Sequence, residues 1–289
     1  GHTGVRREVV LGYAAMLNTG ITPVTGEYGS LGCSGDLAPL AHAALALTGE
    51  GIVRDKAGTQ MPAAEALSAA GLEPITLREK EGLALINGTD GMLGQLIMAL
   101  TDLDTLVTTA DLTTAMTVQA LCGIDAVFAP DLQALRPHEG QKLSAANIAA
   151  LLKDSPLIQA GKSEESKRVQ DAYSLRCAPQ VTGAVRDTMA HAAHVAQVEL
   201  VSAIDNPAVT DDLRVESNGN FHGAPVAYVL DFLAIAVADL ASMSERRTDR
   251  MLDPARSRGL NAFLANDPGV DSGYMIAQYT QALIVSELN

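Results

Sequence analysis

The sequence predicts a mainly α-helical chain built from long helices, with one small β-hairpin. Three observations carry this expectation. Apolar residues recur at helical spacing over most of the length. The 47% hydrophobic content comes largely from alanine and leucine, with no tryptophan and only 3% aromatic residues, so packing must come from aliphatic helices rather than aromatic-rich sheets. Strand-like alternation is confined to residues 52–61, around the turn Asp55-Lys56-Ala57-Gly58. At 289 residues such a chain can bury a sizeable core without requiring a second folding unit.

Taken in order, Thr3 is placed to cap a first helix that runs to about Asn18 and is stopped by Gly20. A second helix is expected from Leu37 to Thr48, ending at Gly49, with Asp36 as its N-cap and Pro39 in the first turn, where a missing N–H costs little. The hairpin follows, then a short helix from Ala63 to Ala70. Thr76-Leu77-Arg78-Glu79 reads as a capping box, so a helix is expected to begin there and to carry Leu83, Ile86 and Asn87. Thr89 caps the next, whose Met92, Leu93, Leu96, Leu100, Leu103 and Val107 make one stripe that persists to about Leu121. Pro130, Pro137 and Pro156 divide the following stretch into shorter helices and loops. Helical periodicity returns from Arg176 to about Ala203 and is broken at Asn206-Pro207, after which Asn218-Gly219 signals a tight turn.

Between Val226 and Leu240 almost every residue is apolar, but Asp231 and Asp239 interrupt the run, which is shorter than the ~20 residues a bilayer crossing needs. It reads as a helix buried on most sides, covered by other long helices, including those of neighbouring subunits. A formal charge of −14 argues against nucleic acid and anionic membrane surfaces as partners. Cys33, Cys122 and Cys177 are odd in number and lack C-x-x-C spacing, so no disulfide framework or zinc site is indicated and a reducing cytoplasm is expected. His191 and His194 read as a solvated helix face. With no initiator methionine or signal segment at Gly1–Arg7, and with the end at Asn289 falling inside a helical rhythm, the chain is expected to be an internal piece of a longer polypeptide.

The segment Gly29-Ser30-Leu31-Gly32-Cys33-Ser34-Gly35-Asp36-Leu37-Ala38-Pro39-Leu40 couples a glycine-relaxed turn to a helix start around one serine. Its spacing fits neither a dinucleotide loop nor a nucleophile elbow. In Cys33-Ser34-Gly35 the serine can lose water, while the Gly35 nitrogen, with no Cβ beside it, can approach the Cys33 carbonyl closely. Ring closure and two dehydrations would leave a methylene on a five-membered imidazolone, an electrophile made from backbone. The Asp36 carboxylate could assist that cyclisation or simply cap the helix.

This loop resembles the self-processing loop of the aromatic amino acid ammonia-lyases, in which Ala-Ser-Gly becomes 4-methylideneimidazole-5-one (MIO). Cys33 stands where alanine is usual, but only its Cα and carbonyl would enter the ring, so cyclisation is still expected. The block Val169-Gln170-Asp171-Ala172-Tyr173-Ser174-Leu175-Arg176-Cys177 is similar to the histidine ammonia-lyase block V-Q-D-P-Y-S-L-R-C, with Ala172 in place of proline. The resemblance implies that Arg176 binds the substrate carboxylate, for which a planar cationic fork is suited, and that Tyr173 and Gln170 lie in the active site. It also implies that Asn87, in Leu85-Ile86-Asn87-Gly88-Thr89, adjoins the ring, hydrogen-bonding either the ring oxygen or the substrate amine, and that Phe221 packs near it. The implied fold is the long-helix bundle of the ammonia-lyase (fumarase/aspartase-like) type, with residues 1–88 as the cofactor-loop region and 89–289 as the central bundle.

The implied reaction is elimination of ammonia from L-histidine to give trans-urocanate, in a homotetramer whose active sites combine several subunits, with no metal or nucleotide. Attack through the amine is the working route; attack through the aromatic ring is equally compatible with these residues. Tyrosine or phenylalanine lyases and aminomutases sharing the chemistry are one alternative, and a helical oligomerisation scaffold without turnover is another. The family's N-terminal loop tyrosine, its C-terminal glutamate and the N-terminal histidine that favours imidazole substrates have no counterpart in the sequence.

Overall fold

A computed structural model describes residues 1–32, 35–163 and 168–288 of the chain. Helices dominate it, and they fall into two compact units whose boundary lies inside three long helices: Gly1–Met98 with His194–Val229, and Ala99–Ala193 with Leu230–Asn289.

In the first unit, α1 (Arg7–Thr19) ends where expected, because Gly20 takes the left-handed conformation at φ 76° and returns its N–H to Leu17 and Met16. Its start differs from the expectation. Arg6, not Thr3, occupies the N-cap position, and the Thr3 hydroxyl instead bonds Asp205 at 2.5 Å. Helix α2 (Leu37–Leu47) follows the loop, and β2 (Ile52–Arg54) pairs antiparallel with β3 (Gln60–Pro62) through Val53 opposite Met61. The Asp55 carboxylate accepts the Ala57 and Thr59 amides and so holds the expected turn. A further strand, β1 (Thr22–Pro23), joins β2; two residues are too few to leave an alternation pattern. Helix α3 (Ala63–Ala69) closes over this sheet, and Val9, Met16, Leu47, Val53, Ala63 and Leu67 form the unit's core.

The capping box at Thr76 does not form. Helix α4 is one turn only, Glu81–Ala84, entered through Lys80 at φ 69°. A tertiary ion pair outweighs the local signal: the buried Glu81 carboxylate takes three bonds from Arg6 (backbone N 3.0, Nε 2.8, Nη2 2.8 Å) and one from the Arg78 amide at 2.7 Å. The reciprocal half of a capping box thus survives, displaced two residues along the chain.

Helix α5 (Asp90–Ala120) carries the long stripe through both units. In the second unit, α6 (Pro130–Ala134), α7 (Glu139–Leu152) and α8 (Pro156–Ala160) are the short helices that the prolines predict. One-turn α9 (Tyr173–Arg176) precedes α10 (Ala178–Leu200), so Arg176 closes a short helix instead of opening a long one. Phe128, Ile148, Leu152, Ile158 and Leu175 are packed with Val118 and Leu121 of α5. The buried Asp111 of α5 pairs with Arg186 of α10 at 2.8 Å and accepts Asn147 of α7 at 2.9 Å, which ties three helices at one point.

Strands β4 (Ala208–Val209) and β5 (Val215–Glu216) belong to the first unit, and their hairpin reverses at Thr210–Arg214, where Leu213 adopts φ 65°. Asn218-Gly219 lies beyond that hairpin in a tight turn of its own, where Asn218 Oδ1 accepts the Asn220 amide at 2.8 Å and the Gly219 carbonyl accepts the His222 amide at 3.0 Å. Helix α11 (Ala224–Leu252) is longer than the apolar run that announced it, and among the described residues it is the helix with the length and apolarity of a bilayer span. It is not buried on most sides within this chain: Val226, Val229, Leu233 and Leu240 are covered, whereas Tyr228 and Ile235 are 74% and 70% exposed. Helix α12 (Met275–Leu288) has no buried residue at all.

Candidate active site

Cys33 and Ser34, the first two residues of the expected ring, lie outside the described residues; Gly35 is within them. Its backbone sits at φ 92°, a conformation that L side chains rarely adopt, and a Cβ there would stand 3.1 Å from the Gly88 carbonyl oxygen. Only glycine fits this approach, so position 35 suits a condensation that needs an unhindered nitrogen.

The next residue links the loop to α5. Asp36 is fully buried, and its amide donates to the Gly88 carbonyl at 3.3 Å. Its side chain makes no bond to the start of α2, contrary to the expected N-cap. It accepts instead the Ser30 hydroxyl and the Met92 amide. Met92 is the third residue of α5, so Asp36 caps that helix from outside, with a carboxylate placed against the unpaired N–H groups and the positive end of its dipole. The Thr89 hydroxyl, expected to do this, donates to Glu199 at 3.1 Å. Gly91 has to be small for the same reason, because a Cβ there would meet Asp36 Oδ2 at 2.8 Å.

Asn87 lies on the turn between α4 and α5. Its Nδ2 donates to Asp205 Oδ1 and to the Asn206 carbonyl, both at 3.1 Å. Asp205 is buried, and it also receives the Lys80 ammonium, the Thr3 hydroxyl and the Asn206 amide. Burial pushes its carboxyl up, but Lys80, Thr3 and Asn87 outweigh that and hold it below the ordinary range. Asn206 Oδ1 in turn accepts the Asn218 amide at 2.8 Å, and Asn218 Nδ2 returns to the Asp205 carbonyl at 3.1 Å. This network fixes the segment leading to half-buried Phe221. Two residues later, Gly223 packs so closely that a Cβ would lie 2.8 Å from the Met92 sulfur and 3.0 Å from the Gly32 carbonyl. Within the first unit, then, Gly35, Asn87 and the Phe221 segment converge on the start of α5.

Gln170, Tyr173 and Arg176 belong to the second unit. The Arg176 guanidinium carbon stands 4.6 Å from the Tyr173 ring centroid, and its Nε donates to the Asp171 carbonyl at 2.9 Å. Among the described residues no hydrogen bond engages its Nη atoms, the pair that would form a fork for a carboxylate. The turn that bears it is held from beneath. Buried Asp171 accepts the Ile124 amide at 2.6 Å and pairs with Arg168 at 2.8 Å, and buried Arg247 donates to the Ser174 carbonyl at 3.3 Å. Burial lowers the Arg247 guanidinium to about 10, so it remains charged at neutral pH. Gln170 and Tyr173 are exposed, Tyr173 by 70%.

Asp205, Lys80 and Arg247 are the supporting residues that sequence reasoning missed. Asp205 adjoins Asn206-Pro207, a pair that reads simply as a helix break, and nothing local shows that a lysine 125 positions away answers it. His191 and His194 are both exposed, and no group of three or more metal-ligating side chains occurs among the described residues.

The whole chain, residues 1–289, matches the aromatic amino acid lyase family. It is 66% identical over 288 residues to the histidine ammonia-lyase of Streptomyces coelicolor, an alignment covering 100% of this chain and 56% of that protein. Among solved structures it superimposes on histidine ammonia-lyase from Trypanosoma cruzi with a TM-score of 0.88 at 40% identity, covering 100% of this chain and 53% of that one. The tyrosine aminomutase of Streptomyces globisporus gives a TM-score of 0.90 at 40% identity, with 100% and 57% covered. The chain thus spans a little over half the length of the relatives it matches.

Proposed function

The chain belongs to the aromatic amino acid lyase family, and from that premise we propose that it contributes to a carbon–nitrogen lyase that eliminates ammonia from L-histidine to give trans-urocanate. The observation that carries the choice of substrate is the 66% identity to a histidine ammonia-lyase. Fold alone does not discriminate, since a lyase and an aminomutase superimpose equally well at 40% identity each. The family uses MIO, and we assign its formation here to Cys33, Ser34 and Gly35. The close backbone approach at Gly35 supports that assignment.

When formed, this group supplies an electrophile that makes ammonia a better leaving group. The chain's own residues supply the rest. Arg176 holds the substrate carboxylate with its Nη pair, oriented by the Tyr173 ring and the Asp171 carbonyl. Gln170 and Tyr173 line the same turn. Asn87 meets the reacting end of the substrate, and Phe221 packs against the flat ring system. Exposed apolar side chains on α11 and α12 support assembly into a homotetramer with shared sites. A cytoplasmic location fits the proposed metabolic role, and the free thiols of Cys122 and Cys177 are consistent with it.

Intact-mass measurement on the protein from its native gene tests the assignment, with loss of two waters expected and abolished by Ser34→Ala. Product analysis with histidine, tyrosine and phenylalanine tests the substrate. Urocanate from histidine is the expected result; cinnamate, coumarate or a β-amino acid as the main product would overturn it.

A further inference from the structure

An amide side chain at an active site can face a ligand with a donor or with an acceptor, and which one it offers is normally an assignment, not an observation. At Asn87 the surroundings decide it. Both atoms facing Nδ2 at 3.1 Å, Asp205 Oδ1 and the Asn206 carbonyl, are acceptors only. A flipped amide would set its own oxygen against a carboxylate and a carbonyl. Both Nδ2 hydrogens are therefore committed inside the protein, and among the described residues no donor reaches Oδ1.

We propose that Asp205 is a positioning residue whose carboxylate, bonded to Asn87 Nδ2, fixes that amide so that it offers a ligand only the acceptor Oδ1. The group that Asn87 meets is then a donor, the ammonium or amine of the substrate, and not its carboxylate or a ring carbonyl oxygen. Asp205 can do this because it stays an acceptor: it is 8% exposed, its Oδ2 takes Lys80 and Thr3, and its Oδ1 takes both the Asn206 amide and Asn87. Asn206 reinforces the arrangement, since its side-chain oxygen is itself held by Ser217 and Asn218 while its carbonyl takes the second Asn87 hydrogen. The inference rests on the placement of Asn87 in the active site proposed above and adds the chemical role that placement leaves open.

Two unreactive substrate fragments separate the possibilities. L-Histidinol keeps the amine and lacks the carboxylate; 3-(imidazol-4-yl)propanoate keeps the carboxylate and lacks the amine. Their affinities are measured by calorimetry on the full protein carrying Asp205→Asn, Asn87→Ala or both, with melting temperature as the check on folding. Asparagine at 205 can donate to Asn87 Oδ1 and so permits the flipped amide. Each single variant is expected to weaken histidinol by about ten- to hundredfold and leave the propanoate unchanged. The double variant should be no worse than Asn87→Ala, because Asp205 acts only through Asn87. Loss of propanoate affinity with histidinol spared, or an additive loss in the double variant, would overturn the proposal. If neither fragment binds the unmodified protein, the histidine reading is what fails, and L-phenylalaninol with 3-phenylpropanoate then carries the same comparison.

Discussion

Helices α7 and α10 meet backbone to backbone at Gly140 and Gly183, and replacing Gly183 by alanine tests how tightly that crossing is set. A Cβ at position 183 would lie 2.3 Å from the Gln141 nitrogen, 2.4 Å from its Cα and 2.7 Å from the Gly140 carbonyl carbon. Ordinary contact begins near 3.4 Å, so the helices must part by about 1 Å. All three obstacles are backbone, so no side-chain rotation relieves them. The separation would also stretch the 2.9 Å bond by which Asp187 of α10 caps the Gly140 amide. Overpacking of this kind costs about 1–3 kcal/mol and occasionally more, against which alanine in a helix interior returns roughly 0.5–1 kcal/mol over glycine. We expect a net loss of about 1–2 kcal/mol, which for a chain of this size lowers the midpoint by roughly 2–6 °C. The internal control is Gly94→Ala in α5, where nothing lies within 4 Å of the added methyl and the helix gain should appear unopposed. Thermal and urea unfolding of both variants reads the signs directly. If Gly183→Ala stabilises as much as Gly94→Ala, the close crossing is not a feature of the folded protein.

Two further outcomes follow from the same geometry. The Arg6 guanidinium, together with the Arg78 and Arg6 amides, holds the Glu81 carboxyl at about 2, well below its ordinary 4.5. Its contribution to stability is therefore complete above about pH 4.5 and is lost as pH falls towards 2, and in acid titrations monitored by circular dichroism Glu81→Gln should flatten that part of the curve; an unchanged slope would refute the pairing. At Arg176, substitution by lysine keeps the charge but removes the fork and the stacking on Tyr173, so kcat/KM for histidine should fall by roughly 10- to 100-fold, mostly through KM. Activity equal to wild type in Arg176→Lys would show that a point charge suffices.

Which parts were readable in the sequence depended on the range of the forces involved. Gly20 and Gly49 announced helix ends, Pro130 and Pro156 announced a stretch of short helices, and the Met92–Val107 stripe announced a buried face, because each acts within one or two turns of its own position. The residues proposed for the site were readable as blocks of residue types: Gly35, Asn87, Gln170, Tyr173, Arg176 and Phe221 stand in motifs that can be matched without knowing any distance. Tertiary structure alone decided how the charged groups are shared out. Thr3, Thr76, Thr89 and Asp36 each had a plausible local capping role, and none took it. Thr3 turned to Asp205, Thr89 to Glu199, Asp36 to the amide of Met92, and the helix expected from Thr76 gave way to the pairing of Glu81 with Arg6. A cap stabilises by about 1 kcal/mol, whereas a buried carboxylate without a partner costs several. When burial sets the two in competition, the distant partner wins, and only the folded chain reveals which partner that is.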